Sequence, residues 1–239
     1  MAELSLVTFN THYGVRSRRG AGQPYDLAAV LGSLAADVMV IQEVWRPDGQ
    51  AGVVDEFATE HGYALCHTLT GRATAAKRGP VFAPGGEGTS GTAVLTRVPA
   101  RLVREVVVGP TAGDPAPARA VPHLEVRVDG HTLQVVGVHL TSRLPHGPPI
   151  QLRRLGRALP DPGTPTVVAG DCNFWGPGVL AVLGDGWRRA VTGRTWPAHL
   201  PHSQIDHVLV RAGDVHTTDP VIGDDCGSDH RPVRVRVSW

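Results

Sequence analysis

The stretch Thr166-Val-Val-Ala-Gly-Asp-Cys-Asn173 decides the fold of this chain. It begins with β-branched and apolar residues, a run that predicts a strand buried on both faces. An aspartate and an asparagine follow at once, where the strand meets a turn. In α/β sheets the loops at such strand ends converge on functional sites. The stretch therefore predicts a buried strand that delivers polar groups to a sheet rim.

Other runs of strand or helix character occur on both sides of this stretch. Strands are predicted at Leu4–Asn10, Val38–Val44, Thr92–Arg97, His123–Val128, Thr132–Leu140, Ile205–Arg211 and Pro232–Trp239. Helices are predicted at Pro24–Ala35, Val53–Glu60, Ile150–Leu159 and Val179–Leu183. Two stretches rich in Gly, Pro, Ala and Thr, Thr70–Gly91 and Gly109–Ala120, are predicted to be long loops. Many strands and few helices predict a mixed α/β sandwich, in a single domain spanning residues 1–239.

The composition excludes several classes of protein. With 239 residues, 41% hydrophobic and 19% charged, the chain can bury a sizeable core and is not a disordered protein. Its net charge of +1 argues against a broadly basic coat for nucleic acid but allows a local basic cleft. No apolar run is long enough to span a membrane, and the N-terminus lacks signal-peptide features, so we expect a cytoplasmic protein. The three cysteines have no metal-ligand spacing and are expected to be reduced thiols.

Polar side chains recur where the predicted strands begin or end. They are Asn10, Glu43, His139, Asp171, Asn173, Asp206, Asp229 and His230. Each alone has an ordinary structural explanation, such as a turn, a strand-end cap or a half-buried histidine. Asp206 is harder to explain structurally, because a carboxylate in a β-rich apolar run is costly unless it is compensated. The only two asparagines of the chain, Asn10 and Asn173, are both in this set. Together these residues indicate one site at a sheet rim.

This order of motifs resembles the endonuclease/exonuclease/phosphatase superfamily, the metal-dependent phosphohydrolases related to DNase I and the abasic-site endonucleases. The resemblance runs from Phe9-Asn10 to the end of the last motif. Its most specific blocks are Gln42-Glu43, Gly170-Asp-Cys-Asn173, Ile205-Asp-His207 and Ser228-Asp-His230. It implies a four-layered α/β sandwich, with two packed β-sheets flanked by helices, and phosphoester hydrolysis aided by Mg²⁺ or Mn²⁺.

The resemblance also implies roles for individual residues. Glu43 would be the main ligand of the metal, with Asn10 and Asp229 beside it, in keeping with the preference of Mg²⁺ for oxygen ligands. Asp171 would orient or deprotonate the attacking water, and Asn173 would hold a phosphate oxygen. The remaining implied roles are an Asp206–His230 pair, a phosphate contact or proton donor at His139, and a phosphate-facing Arg119. His12 stands where abasic-site enzymes carry an acid, so it receives no ligand role.

The substrate is left open by the motifs, because this fold serves many phosphoesters. Basic residues in the loops favour nucleic acid, DNA or RNA, if they surround the site: Arg16, Arg18, Arg19, Arg72, Lys77, Arg78 and Arg143. Aromatic residues near the motifs either stack on bases or pack in the core: Tyr13, Trp45, Phe174, Trp175 and Trp196. The leading hypothesis is a phosphodiesterase acting on nucleic acid. The alternatives are a phosphomonoesterase or a lipid or nucleotide phosphodiesterase, and a binding protein without turnover. The oligomeric state is open, with a monomer as the default.

Overall fold

Two six-stranded sheets form the centre of the molecule in a computed structural model, which describes residues 1–17, 22–74, 87–114, 118–159, 161–211, 213 and 215–239. The strands are β1 (Glu3–Asn10), β2 (Val38–Pro47), β3 (Ala64–Thr74), β4 (Glu87–Thr96), β5 (Ala100–Gly109), β6 (Arg119–Val128), β7 (His131–His139), β8 (Thr166–Asp171), β9 (Trp187–Arg189), β10 (Asp206–Arg211), β11 (His216–Ile222) and β12 (Val233–Ser238). The helices are α1 (Leu27–Ser33), α2 (Val53–Glu60), α3 (Gly147–Ala158) and α4 (Gly178–Leu183).

The strand order separates the chain into two sheets with mixed directions. The first sheet has the order β11-β12-β1-β2-β4-β3 and the second the order β5-β6-β7-β8-β10-β9. Only β1–β2 and β7–β8 pair in parallel among the described strands; the other neighbours are antiparallel. All eight predicted strands are present, and they are the eight central ones. The four strands that the sequence did not predict (β3, β5, β9 and β11) are the four sheet edges.

Three apolar clusters hold the layers together. The cluster between the two sheets includes Leu6, Val40, Val135 and Val208, all fully buried. A second cluster packs α1 and α2 on the outer face of the first sheet, and a third packs α3 and α4 on the outer face of the second. The result is the expected four-layered α/β sandwich, with its helices on the outside because each has only one apolar face to bury.

One of the two predicted long loops was wrong in part. Residues 70–74 belong to β3 and residues 87–91 to β4, and these segments pair with each other across residues 71–74 and 87–90. The middle of this predicted loop, residues 75–86, lies outside the described residues. The second predicted loop agrees with the gap between β5 and β6, apart from residues 115–117, which also lie outside the described residues. The end of β3 and the start of β4 were predicted as loop because they are rich in glycine and threonine, residues that are also common in turns.

The strand registers bring the polar motifs to one rim. Asn10, the last residue of β1, pairs with Gln42 in the middle of β2, and His139 pairs with Asp171 at the ends of β7 and β8. Asp206 begins β10 directly opposite Asp171, because β10 runs antiparallel to β8. The carboxyl ends of β1, β7 and β8, the middle of β2 and the amino end of β10 thus meet at the same end of the sandwich.

Candidate active site

Asp171 lies at the centre of the rim and is only 1% exposed. Its Oδ1 accepts a hydrogen bond from the backbone N–H of Asn173 at 2.8 Å, and its Oδ2 accepts one from Nδ2 of Asn10 at 3.0 Å. The second bond joins the two sheets, since Asn10 ends β1 and Asp171 ends β8. Gly170 has a φ of +143°, and a Cβ there would collide with the carbonyl oxygen of Val138 on β7. Glycine therefore lets β8 approach β7 closely next to this carboxylate.

The environment of Asp171 makes its carboxyl group a proton acceptor suited to neutral pH. Burial, together with the neighbouring charge of Asp206, outweighs the opposing effects of His230 and of the hydrogen bonds from Asn173 N–H and Asn10, and raises the pKa of Asp171 to about 7. A carboxyl group with a pKa near the working pH is present partly as carboxylate and is still basic enough to take a proton.

His230 and Asp206 form a buried pair. Nδ1 of His230 lies 3.0 Å from both carboxylate oxygens of Asp206, and Nε2 lies 3.8 Å from Oδ2 of Asp171. Burial of His230 opposes its charged form, but the carboxylates of Asp206 and Asp171 outweigh burial and raise the pKa of His230 well above its usual value. Its imidazolium therefore donates Nδ1–H to Asp206 and directs Nε2–H toward Asp171.

His139 has the opposite electrostatic environment. Its Nε2 lies 3.6 Å from Oε1 of Glu43 and 3.9 Å from Oδ2 of Asp171. Burial lowers the pKa of His139 well below the usual value, and the positive charges of Arg119 and His230 lower it further. Arg119 lies behind this histidine, where its Nη1 donates a hydrogen bond to the His139 carbonyl oxygen at 2.8 Å. The rim thus holds one histidine that is neutral and one that is charged.

Glu43 reaches the rim through an irregularity in β2. The register between β2 and β4 shifts between Ile41 and Val44, and Glu43 adopts a left-handed φ of +52°. Such a β-bulge re-aims a side chain that regular pleating would send elsewhere. The hydroxyl of Thr11 donates to the carbonyl oxygens of Gln42 and Glu43 at 3.0 and 3.1 Å, which fixes the bulge. Burial and the charge of Asp229 raise the pKa of Glu43.

The donor set near Glu43 fits a divalent cation. Oε2 of Glu43 and Oδ1 of Asp229 are buried oxygens that accept no hydrogen bond from any described residue. A buried carboxylate oxygen without a partner is costly, and a hard cation with oxygen ligands would offset that cost. Asn10 lies on the same side, because it pairs with Gln42, the residue before Glu43; its Oδ1 accepts the backbone N–H of His12 at 3.0 Å.

A second group of potential metal ligands consists of Asp171, Asp206 and His230. One ligand atom from each lies within 4.8 Å of the others. Both oxygens of Asp206 already face Nδ1 of His230, so this group is satisfied as a hydrogen-bonded pair next to a carboxylate. The chemistry of the donors therefore favours the Glu43 side for a metal.

A cavity of about 450 Å³ opens over these groups, a volume within the usual range of small-molecule sites. It is lined by His12, Glu43, Ser142, Asp171, Asn173, Trp175, Trp196, Ser203, Ile205, Asp229 and His230. Five of the nine predicted site residues are on this wall. Asn10, His139 and Asp206 contact members of the wall, and Arg119 contacts His139. The structure therefore brings all nine predicted residues together.

Ser228, Trp196 and His12 are all named in the sequence analysis, but their contributions to this site were not predicted. The hydroxyl of Ser228 donates to the Asn10 carbonyl oxygen at 2.7 Å and accepts the backbone N–H of His230 at 3.2 Å. Nε1 of Trp196 donates to Oδ2 of Asp229 at 3.2 Å, and His12 lines the cavity. Ser228 belongs to the Ser228-Asp-His230 block, but its bond to Asn10 spans 218 positions. The contact of Trp196 spans 33 positions, and no local pattern marks it.

Only some of the basic loop residues that were predicted to surround the site are among the described residues. Arg16 and Arg143 are exposed, and Arg143 follows the cavity-lining residue Ser142. Arg72 forms ion pairs with Asp48 and Glu87, which reduces its charge toward a substrate. The remaining predicted positions lie outside the described residues: Arg18, Arg19, Lys77 and Arg78.

The chain is similar to known proteins both in sequence profile and in three-dimensional structure. The profile of the endonuclease/exonuclease/phosphatase family matches residues 7–230. No protein in a search of curated sequences matches the chain. An endonuclease/exonuclease/phosphatase from Beutenbergia cavernae has a similar structure, with a TM-score of 0.75 and 22% identity over 100% of this chain and 72% of the other.

Two further similar structures come from more distant sequences. TDP2 of D. rerio, solved with a single-strand DNA product, has a TM-score of 0.68 and 15% identity over the whole of both chains. A mannosyl-6-phosphatase of Bacteroides thetaiotaomicron has a TM-score of 0.64 and 14% identity over 99% of this chain and all of the other. At these identities the similarity establishes the fold. Among the described residues, no helix is long and apolar enough to cross a bilayer.

Proposed function

Because the chain belongs to the endonuclease/exonuclease/phosphatase family, whose members are metal-dependent phosphoester hydrolases, we propose that it is a Mg²⁺-dependent phosphodiesterase acting on nucleic acid. One observation carries this proposal. The buried Asp171 and the Asp206–His230 pair lie at a cavity shared with Glu43 and Asp229, each of which has a buried oxygen that accepts no hydrogen bond from a described residue. The proton acceptor Asp171, the positively charged His230 and a set of possible metal ligands thus lie around one cavity, as phosphoester hydrolysis requires.

We infer that Glu43 holds the metal, with Asn10 and Asp229 beside it. When bound, Mg²⁺ or Mn²⁺ would offset the negative charge that builds on the phosphate oxygens. Oε2 of Glu43 and Oδ1 of Asp229, which accept no hydrogen bond from a described residue, support this assignment, since a hard cation prefers carboxylate oxygens as ligands. The hydrogen bond from Trp196 to the other oxygen of Asp229 would hold this carboxylate in place.

Asp171 is the proposed proton acceptor for the attacking water. Three hydrogen bonds, from the N–H and Nδ2 of Asn173 and from Nδ2 of Asn10, fix the carboxylate at the floor of the cavity. Nδ2 of Asn173 donates to the Leu140 carbonyl oxygen at 2.9 Å and lies 3.3 Å from Asp171. The longer of these bonds is the one that a phosphate oxygen would replace, so Asn173 can orient Asp171 and then contact substrate.

The two histidines would contact the phosphate in different ways. His230, held by Asp206, directs Nε2–H into the cavity as a charged donor for a phosphate oxygen. His139 lies beside Glu43 and Asp171 as a neutral donor, a state that favours a phosphate contact over proton donation. Arg119 would act through His139, because its guanidinium holds the backbone carbonyl of that residue. Its predicted direct contact with phosphate stays a prediction.

Hydrolysis of model substrates tests the proposal. Protein treated with EDTA should regain activity with Mg²⁺ or Mn²⁺, cleave a bis-aryl phosphate faster than a mono-aryl phosphate, and nick plasmid DNA. Preference for the mono-aryl phosphate would instead indicate a phosphomonoesterase, an activity that the name of the Bacteroides thetaiotaomicron neighbour reports for that protein. Absence of metal-dependent hydrolysis of every phosphoester, lipid and RNA included, would indicate a binding protein.

Variants connect the activity to this cavity. Asp171→Asn should lower kcat by about 10²- to 10⁴-fold, the usual contribution of a general base. Glu43→Gln should weaken the binding of Mn²⁺ in a calorimetric titration. Asp219→Asn is the matched control, because Asp219 is an exposed carboxylate on β11 that pairs with Arg236 on β12. Full activity of Asp171→Asn would contradict the assignment of the base.

A further inference from the structure

Trp175 combines high exposure with a position on the wall of the active-site cavity. Its side chain is 65% exposed, yet it lines the same cavity as Asp171 and Asn173. The residue lies in the short loop between β8 and α4, two positions after Asn173. Ligand cavities in proteins are lined predominantly by hydrophobic and aromatic side chains.

The loop that carries Trp175 is held in place by its neighbours. The carbonyl oxygen of Phe174 accepts a hydrogen bond from Nε2 of His207 at 3.0 Å, and the N–H of Gly176 donates to the carbonyl oxygen of Gln204 at 3.2 Å. Phe174 packs against the apolar cluster under the second sheet. Because both flanking residues are hydrogen-bonded, the indole is presented on a fixed backbone.

Phe174 also supports the indole directly. The rings of Phe174 and Trp175 have centroids 6.1 Å apart and planes inclined by 21°. At Gly178 a Cβ would lie 3.1 Å from the ring of Phe174, so a residue without a side chain makes room for that ring. This arrangement leaves most of the indole uncovered, although its loop is anchored.

The rest of the cavity determines what this surface can bind. Trp196 and Ile205 add apolar area to the wall, whereas Glu43 and Asp229 supply the carboxylates. The cavity therefore offers one part for a charged phosphate with its cation and another for an apolar, planar group. A nucleotide carries both groups on one molecule, and every base has a face that stacks on an aromatic side chain.

We propose that Trp175 forms a stacking subsite for a nucleobase attached to the phosphoester at the active site. This inference rests on the proposed function and narrows it, because it makes a base next to the scissile phosphate a determinant of substrate binding. Trp175 contributes to binding and not to bond cleavage, so its removal should raise KM and leave kcat nearly unchanged.

Two oligonucleotides of equal length test the subsite, one with all its bases and one with abasic nucleotides around a single scissile bond. For Trp175→Ala we expect KM for the base-bearing strand to rise about tenfold or more, the usual effect of losing one base–aromatic stack. KM for the abasic strand should change less than twofold. Trp175→Phe should restore most of the lost affinity because it keeps a ring. Val107→Ala is the matched control, since Val107 is 66% exposed on β5 and is not among the cavity-lining residues.

The possible results separate this inference from the proposed function. Equal losses on both strands, or no loss on either, would overturn the stacking subsite while leaving a phosphodiesterase. If the wild-type protein cleaves neither strand with Mg²⁺ or Mn²⁺, the proposed function fails. The stacking subsite is then tested by oligonucleotide binding alone. In that case an oligothymidylate should quench the tryptophan fluorescence of the wild-type protein more than that of Trp175→Phe. Equal quenching in the two proteins would refute the subsite.

Discussion

Replacing Asp206 with asparagine isolates the charge of the buried pair at the rim. Asn has the shape of Asp, and its side-chain oxygen can still accept Nδ1–H of His230. What disappears is the negative charge that lies 3.0 Å from Nδ1 through both carboxylate oxygens. Asp206 is 1% exposed and His230 6%, so solvent screens this interaction weakly.

The size of the effect follows from the kind of hydrogen bond that is lost. A hydrogen bond between charged groups contributes about 1.5–3 kcal/mol, roughly twice the contribution of a neutral one. Without Asp206, His230 is less often an imidazolium and would contact a phosphate oxygen as a neutral donor. A loss of about 2–3 kcal/mol in the transition state corresponds to about 30- to 150-fold in kcat/KM.

The assay is hydrolysis of a bis-aryl phosphate at saturating Mg²⁺, with urea unfolding of the same samples. Asp206→Asn should lower kcat/KM by the factor above and leave a cooperatively folded protein. Asp55→Asn is the matched control. Asp55 forms an ion pair with Arg46 at a distance of 2.7 Å, and neither residue lines the cavity. This control should lose stability at most and keep its kcat/KM.

The reasoning would be refuted by kcat/KM within twofold of the wild type for a folded Asp206→Asn. It would also be refuted if Asp55→Asn lost as much activity, because the loss would then reflect general destabilisation. In either case the Asp206–His230 pair would be a structural element of the second sheet and not part of the chemistry.

Three further predictions concern residues around the site. The pKa of His207 is lowered by burial to about 4 from 6.5, so the unfolded chain binds the proton more tightly; stability is fully present above pH 6.5 and falls as the pH drops toward 4. Between pH 7.5 and 5, the loss of unfolding free energy measured with urea should be about 2 kcal/mol smaller in His207→Gln than in the wild type, and an equal loss in the two proteins would contradict the assignment. Gly170→Ala should lower the free energy of unfolding by about 3 kcal/mol or more, because its Cβ would collide with Val138; an unchanged thermal midpoint would show that β8 can shift. Ser228→Ala should reduce kcat by about tenfold, because it leaves the backbone N–H of His230 without its partner; Ser228→Thr should retain most activity, and equal losses in both would argue against a hydroxyl role.

The central strands could be predicted from sequence and the edge strands could not, for a physical reason. A central strand such as β8 is buried on both faces, so its sequence is a continuous apolar run. Edge strands lack that signature, because their solvent face accepts almost any residue. All seven side chains of β11 are exposed or half-exposed, and the strand even includes Pro220. These strands form only because a neighbouring strand supplies hydrogen-bond partners.

The sequence by itself determined the residue types of the candidate site and their order on strand ends. Asn10, Asp171 and Asp206 could be placed on one rim because buried strands must deliver polar groups to their ends. Only the tertiary structure decided how these groups face each other. The bulge that turns Glu43, the bond from Asn10 to Asp171 across the two sheets, and the indole of Trp196 on Asp229 all depend on packing between distant segments. Such contacts leave no local pattern, because their partners are brought together by the burial of the apolar core and not by spacing along the chain.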